Sequence, residues 1–372
     1  MLRNVLDASI GPDVRVVPLS EATADDFKAV VGACFAPSAT GIVDRLLSNP
    51  ARSLTNEIGD IAYEGSEPVA VLGAVPCQLY FNQRPIIGSY GSLLALKPGH
   101  LPGALWAVLT RGRTVRGHAD IEYANTCVEQ AVRLHAAAGF QFCGSSAPAV
   151  WKFEHTRVLR RLPYLLYELH RRHPRVPVPT AANRQLPDEA ESVFSSEGEE
   201  VRRLSDIDSQ LFSDFWMRYL RTNVGLVSTR APEILSWMFG SRLKNGQAVL
   251  VGVFRDGTLV GYGIACSQDL TARFWRIADC IALDNDLDVI SLSLEGIVRW
   301  LRRRTPAFFV QAHGFPLRAQ SVIERVFPRK CEMKSNPFIL SLFDAELRIV
   351  CGDRGESLTG WFYGPYDGDY PF

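Results

Sequence analysis

Asn125-Thr-Cys-Val-Glu-Gln-Ala-Val-Arg-Leu-His-Ala-Ala-Ala-Gly139-Phe140 decides how the first half of the chain reads. Residues 129–138 form a helical stretch, and Gly139 stands where a left-handed C-cap ends a helix. Residues 121–127 in front of it read as a strand, and 140–142 and 150–153 behind it read as final strands.

Upstream, residues 60–63, 68–81 and 85–96 are rich in Val, Ile, Leu and Tyr. Glu64-Gly65-Ser66 and Asn82-Gln83-Arg84 punctuate them, which predicts an antiparallel meander. Lys97-Pro98-Gly99-His100-Leu101-Pro102-Gly103 then leads into a helix over 104–113. Nearer the start, 14–17 is a short strand, and Ser20 with the acids after it opens a helix that runs to Cys34.

Downstream, residues 174–200 carry Pro174, Pro177, Pro179 and Pro187, then Ser195-Ser-Glu-Gly-Glu-Glu. Such composition buries little surface and reads as a linker between one domain at 1–173 and another at 201–372. In the second domain Ser205-Asp-Ile-Asp caps a helix, 234–242 is helical, and 248–254 and 259–266 form a hairpin around Arg255-Asp256-Gly257. A strand at 274–282, an acidic turn, a long helix over 289–304, a strand at 308–312, a helix at 319–326 and a strand at 338–343 follow. Gly65 corresponds to Gly257, and the helix from Ala104 to the one from Val289. Gln130-Ala-Val likewise matches Gln320-Ser-Val. The offset is about 190 residues, which argues for an internal duplication.

This order resembles the GNAT superfamily of acyl-CoA N-acyltransferases, over most of 14–155 and more faintly over 200–343. The phrase from Asn125 to Phe140 is similar to that superfamily's end motif. The resemblance implies an α/β (α+β) chain of two GNAT-like domains, each a mixed, mainly antiparallel twisted sheet flanked by helices. It further implies acetyl-CoA or another acyl-CoA as co-substrate.

A helix N-terminus offers unpaired N–H groups to a pyrophosphate, and glycines let the backbone approach it. The stretch matching the family's cradle is 97–104, so Lys97, Gly99, His100, Gly103 and Ala104 are the expected coenzyme contacts. Pro102 departs from the family pattern by removing a donor. Backbone amides of Leu94, Ala95 and Leu96 would hold the thioester carbonyl, and Asn125 completes the set. Residues 284–288 hold three carboxylates and no glycine, which favours the first half as the coenzyme-binding one.

Amide formation from a thioester needs a base for the amine proton and an acid for the leaving thiolate. His135 occupies the helix position where the family carries an acidic tyrosine, and it alternatively packs an amphipathic helix. Glu122 and Asp120 flank the fifth strand as candidate bases, against the alternative of solvated strand carboxylates. Tyr90 and Ser92 on the preceding strand are candidate cleft residues. Cys127 reads as a structural thiol rather than an acyl carrier. The aromatic tail 361–372 reads as a segment that docks on the domain junction.

Lys plus Arg equals Asp plus Glu, 40 against 40, so no overall field draws the chain to nucleic acid. An aminoacyl-tRNA-dependent transferase of the Fem-like type, the alternative enzyme, would need a basic groove. A non-catalytic GNAT-like scaffold is the other alternative. Arginines between 157 and 175 allow peripheral contact with a membrane surface. None of the 8 cysteines has zinc-ligand spacing, and no metal site is expected. No stretch reaches the ~18–20 apolar residues of a membrane span, so a cytoplasmic location is expected. The expected acceptor is a small-molecule amine such as an amino sugar or amino-acid derivative.

Overall fold

The computed structural model describes residues 14–35, 40–55, 58–100, 102–115, 119–124, 129–146, 149–152, 191–196, 198–268, 274–305, 307, 309–312, 320–327, 329–330, 336–342 and 361–362. Asn125, Cys127, the basic stretch over 157–175 and most of the aromatic tail lie outside these residues.

The first half runs β1 (Val14–Pro18), α1 (Ala24–Cys34), α2 (Gly41–Leu47), β2 (Gly59–Glu64), β3 (Glu67–Phe81), β4 (Arg84–Leu96), α3 (Pro102–Val115), β5 (Ile121–Ala124), α4 (Glu129–Ala137), β6 (Gln141–Ser146) and β7 (Ala149–Lys152). The second half begins with β8 (Glu191–Ser196), β9 (Glu199–Leu204), α5 (Ser209–Thr222), β10 (Leu226–Ser228) and α6 (Pro232–Leu235). A π-helical stretch, Ser236–Gly240, carries α6 into α7 (Ser241–Lys244). Then come β11 (Ala248–Arg255), β12 (Thr258–Ser267), β13 (Phe274–Ala282), α8 (Leu287–Arg304), β14 (Phe309–Ala312), α9 (Gln320–Val326), β15 (Arg329–Lys330), β16 (Asn336–Leu342) and β17 (Trp361–Phe362).

Two mixed sheets result. The first has the order β1-β2-β3-β4-β5-β16-β6, with β10 on the free length of β3. The second has the order β15-β7-β14-β13-β12-β11-β9-β8. In each, neighbours are antiparallel except for one parallel step on the main path, β4 with β5 and β13 with β14. The hairpin at 255–258 turns through Asp256 (φ 50°) and Gly257 (φ 74°), the two left-handed residues that a tight right-twisting hairpin requires.

The position between the fifth and sixth strands is exchanged. β16, from the second half, lies between β5 and β6. β7, from the first half, lies between β14 and β15. The expectation that 150–153 closes the first sheet and 338–343 belongs to the second is corrected accordingly. Sequence-adjacent strands usually pair, and nothing in a four-residue apolar run says that it will not. The linker expectation for 174–200 is also narrowed. Glu191–Ser196 forms β8 and pairs antiparallel with β9.

Each sheet is covered by helices. On α1, Phe27, Val30 and Val31 recur at i, i+3 and i+4 and are fully buried on one face of the first sheet. Ala104, Val108 and Leu109 of α3 pack on the opposite face, against Ala62, Ala70 and Leu72. In the second half α8 buries Ile290, Leu294, Ile297 and Leu301 against β11, β12 and β13. Among the described residues no helix is long and apolar enough to cross a membrane.

The halves are also joined edge to edge. β10 extends the first sheet through the pairs Leu226↔Phe81, Val227↔Tyr80 and Ser228↔Leu79. The β3–β4 turn, left-handed at Asn82 and Gln83, is clamped there: Asn82 Oδ1 accepts from Gly225 N at 2.8 Å, and Gln83 Nε2 donates to Arg221 O at 3.2 Å.

Candidate active site

β4 and β5 are paired through Gly88↔Ile121, Ser89↔Glu122 and Tyr90↔Tyr123. Beyond that rung β5 ends at Ala124, whereas β4 runs on to Leu96. The register of β3 against β4 slips between Val71↔Ala95 and Gly73↔Ser92, and Leu93 takes a left-handed φ of 53°. A bulge of this kind bends the strand that carries it. Leu94, Ala95 and Leu96 thus lie on the length of β4 past its last rung with β5. In a strand backbone, amides alternate in direction, so part of this stretch turns away from β3.

Strand alternation puts Ser89, Gly91 and Glu122 on one face of the sheet and Tyr90 and Tyr123 on the other. A cavity opens on each face. The one beneath α3 and α4 spans about 320 Å³ counting open solvent, admits little more than a water molecule as it stands, and is lined by Gly91, Glu122, Tyr123 and His135, among others. The one on the opposite face spans about 460 Å³ counting open solvent, of which only a small part is enclosed, and its lining includes Cys77, Tyr90, Tyr123, Ser228 and Trp237. Tyr123 borders both. The rings of Tyr90 and Tyr123 stand 5.4 Å apart at 60°.

The structure brings His135 and Glu122 into the same cavity, and each is only 4% exposed. His135 Nδ1 lies 2.8 Å from the carbonyl oxygen of Ala131, and its ring meets Phe140 edge-on at 4.9 Å. A carbonyl only accepts, so Nδ1 carries the proton and Nε2 is the nitrogen that a neutral ring offers as acceptor. Asp120 is placed differently. Its Oδ2 accepts from Ile87 N at 2.7 Å and its own N–H donates to Ile87 O at 2.8 Å, so it fastens the start of β5 to β4.

Of the expected cradle, 97–100 and 102–104 lie among the described residues. Gly99 has φ 90° and turns the chain between Lys97 and His100, whose N–H lies 3.4 Å from Lys97 O. Pro102 occupies the first position of α3, where its missing N–H costs no helical bond. Gly103 and Ala104 are buried. Lys97 Nζ is 3.2 Å from Glu67 Oε1, and His100 Nδ1 is 2.9 Å from Glu64 Oε2. Both cationic candidates therefore already face carboxylates of the β2–β3 hairpin.

The second half differs at both equivalent places. Asp286 Oδ1 accepts from Asp288 N at 3.0 Å and from Val289 N at 3.3 Å, so a carboxylate caps the start of α8. Past the last β13–β14 rung, Arg276↔Gln311, the buried ion pair of Arg230 and Asp279 fills the interior, with Tyr262 OH donating to Asp279 Oδ2 at 2.6 Å. In the first half, Gly99, Gly103 and the length of β4 past its last rung with β5 are the parts that would hold a diphosphate and a thioester arm. Neither fits the second half, where anion-binding amides and interior are both taken.

No family model and no curated protein sequence matches the chain. Solved structures do. A tandem GNAT protein from the clavulanic acid biosynthesis pathway superposes with a TM-score of 0.54 at 12% identity, covering 89% of this chain and 99% of that one. A GCN5-related N-acetyltransferase from Kribbella flavida gives 0.53 at 15%, covering 90% and 72%. Eis1 from Mycobacterium abscessus gives 0.51 at 14%, covering 91% and 75%. The chain has a tandem GNAT fold.

Within that GNAT fold, sequence reasoning missed Tyr123, Gly91, Ser228 and Trp237. Alternation on β5 was the one available signal: a carboxylate facing one cavity puts its neighbour toward the other. Among the described residues no group of three or more His, Cys, Asp and Glu side chains is arranged to hold a metal ion.

Proposed function

We propose that the first half of the chain transfers an acyl group from an acyl-coenzyme A to a small amine, while the second half acts as scaffold and as one wall of the acceptor pocket. The observation that carries this reading is the pair of cavities on opposite faces of the sheet, sharing Tyr123 where β4 and β5 part. One face takes the coenzyme arm and the other takes the amine.

The thioester supplies an activated acyl carbon. The backbone amides within 94–96 that face away from β3 are the donors for its carbonyl oxygen, whose charge grows as the amine attacks. Glu122 lies on the face opposite the amine's cavity and accepts the amine proton through a water beside the last β4–β5 rung. His135 holds a proton at Nδ1 against Ala131 O; as an imidazolium it carries a second proton at Nε2, gives it to the leaving sulfur, and ends as the neutral ring. Lys97 and His100 contact the diphosphate after exchanging their present partners, Glu67 and Glu64.

Those two carboxylates favour a second reading, a GNAT-like protein without catalysis. Calorimetric titration of acetyl-CoA separates the two. A Cβ on Gly91 would meet Tyr123 O at 3.8 Å and Ala124 Cβ at 3.9 Å, ordinary contacts. Gly91→Ala therefore keeps the fold while adding bulk beside the last β4–β5 rung. Binding by the native chain, weakened about tenfold or more in the variant, is the expected result, equivalent to about 1.4 kcal/mol. Absence of binding at millimolar acetyl-CoA overturns the reading.

A further inference from the structure

We infer that the acceptor is a weakly basic amine on an uncharged aromatic or aliphatic body, with a hydrogen-bonding group at the end remote from its nitrogen. This rests on the acyl-transfer reading above and specifies its substrate.

Among the described residues, no Asp, Glu, Lys, Arg or His lines the junction cavity. Its walls are Val75, Ile234, Met238 and the rings of Tyr90, Tyr123 and Trp237. An ammonium or a carboxylate entering such a cavity gives up hydration and finds no opposite charge, which is strongly unfavourable. The same desolvation favours the neutral form of an amine, and the neutral form is the nucleophile. Amino sugars with several ammonium groups and zwitterionic amino acids are disfavoured on this ground. An arylamine, already neutral at pH 7, is favoured.

Ser228 supplies the specific contact. It is 2% exposed, lines the cavity, and its Oγ has no hydrogen-bond partner. A buried hydroxyl without a partner is costly, and a ligand atom that pairs with it recovers that cost. Its backbone is fixed on three sides: the pair Ser228↔Leu79, the bond from Thr229 N to Gln78 O at 2.8 Å, and the bond from Arg230 Nη1 to Ser228 O at 2.7 Å. The charge of Arg230 is met by Asp279 and does not make the cavity cationic. Asn49, the other buried amide in the wall, is spoken for. Its Nδ2 donates to Pro76 O at 2.9 Å and its Oδ1 accepts from Ala51 N at 2.9 Å. Trp237 Nε1 donates to Ser48 Oγ at 3.3 Å, which holds its indole across the two halves.

The test is calorimetric binding of four amines to the full chain: 4-aminobenzyl alcohol, its deoxy analogue 4-methylaniline, glucosamine and lysine. The two arylamines are expected to bind at least tenfold more tightly than glucosamine or lysine. Ser228→Ala, which removes a hydroxyl that holds nothing in place, is expected to weaken 4-aminobenzyl alcohol about tenfold and 4-methylaniline less than twofold. Tighter or equal binding of glucosamine or lysine, no arylamine binding at millimolar concentration, or an equal loss for both arylamines in Ser228→Ala overturns the inference. Acetyl-CoA binding is read in a separate titration, so failure of the transfer reading and failure of this one give different results.

Discussion

Arg230 Nη2 lies 3.2 Å from Asp279 Oδ1 with both side chains at 1% exposure or less. Arg230 reaches this position from the turn after β10, the strand that ties the second half to β3. Tyr262 OH completes the coordination of the carboxylate. The pair thus plugs the interior of the second half and anchors the backbone of Ser228 at the same time.

Removing one partner leaves a buried charge unmatched. Arg230→Met is expected to lower unfolding stability by about 3–5 kcal/mol, whereas Arg230→Met combined with Asp279→Leu and Tyr262→Phe should recover most of the loss. Urea denaturation of both variants measures this. A single variant as stable as the native chain would show that the pair contributes nothing to the fold.

Glu122 and His135 line the cavity given to the coenzyme arm and carry the proposed proton transfers, so polar substitutions of similar size should act on kcat more than on coenzyme affinity. Glu122→Gln and His135→Gln are each expected to reduce kcat by roughly 10²–10⁴, the usual range for a general acid or base. The dissociation constant for acetyl-CoA should change less than threefold. Asp120→Asn serves as the contrast, since its carboxylate is engaged with Ile87 N. It should alter stability more than kcat. Equal kcat losses in all three would argue that these positions merely support the fold.

The meander, the Gly-bearing turn and the helix ended by Gly139 were legible because each rests on local signals: β-branched runs, positive-φ residues and cap residues. The doubling was legible because those signals recur. The exchanged strands were not. β7 and β16 look like any short apolar strand, and their partners are set by the trajectory of chain far from them. The proximity of His135 and Glu122 was legible for the same reason. His135 and Glu122 stand within 14 residues of each other, on consecutive elements that close the same end of the sheet. Ser228 and Trp237 reach the junction cavity only because β10 docks on β3, a contact between distant stretches that no motif marks. The carboxylates facing Lys97 and His100 come from a hairpin some 30 residues upstream, and their approach follows from β2–β3–β4 register rather than from the 97–104 phrase.

Tyr63 provides a test of the packing of α1 that is independent of any ligand. Its hydroxyl donates to Asp26 Oδ2 at 2.6 Å, and Arg15 lies over its ring at 4.6 Å. Burial, then the hydrogen bond to Asp26, raises the phenol from 10.0 to about 12. The folded state therefore holds the proton more tightly than the unfolded chain, where the phenol titrates near the usual ~10. The associated stability is complete below pH ~10 and is lost as the pH rises through about 12. Tyr63→Phe keeps the ring and removes both the bond and the titration. It is expected to cost about 0.5–1.5 kcal/mol at neutral pH and to flatten the decline in urea midpoint above pH ~10. If the native and variant chains decline in parallel there, the phenol is already exposed to water in the folded protein, and the contact between α1 and β2 is looser than the 2.6 Å bond implies.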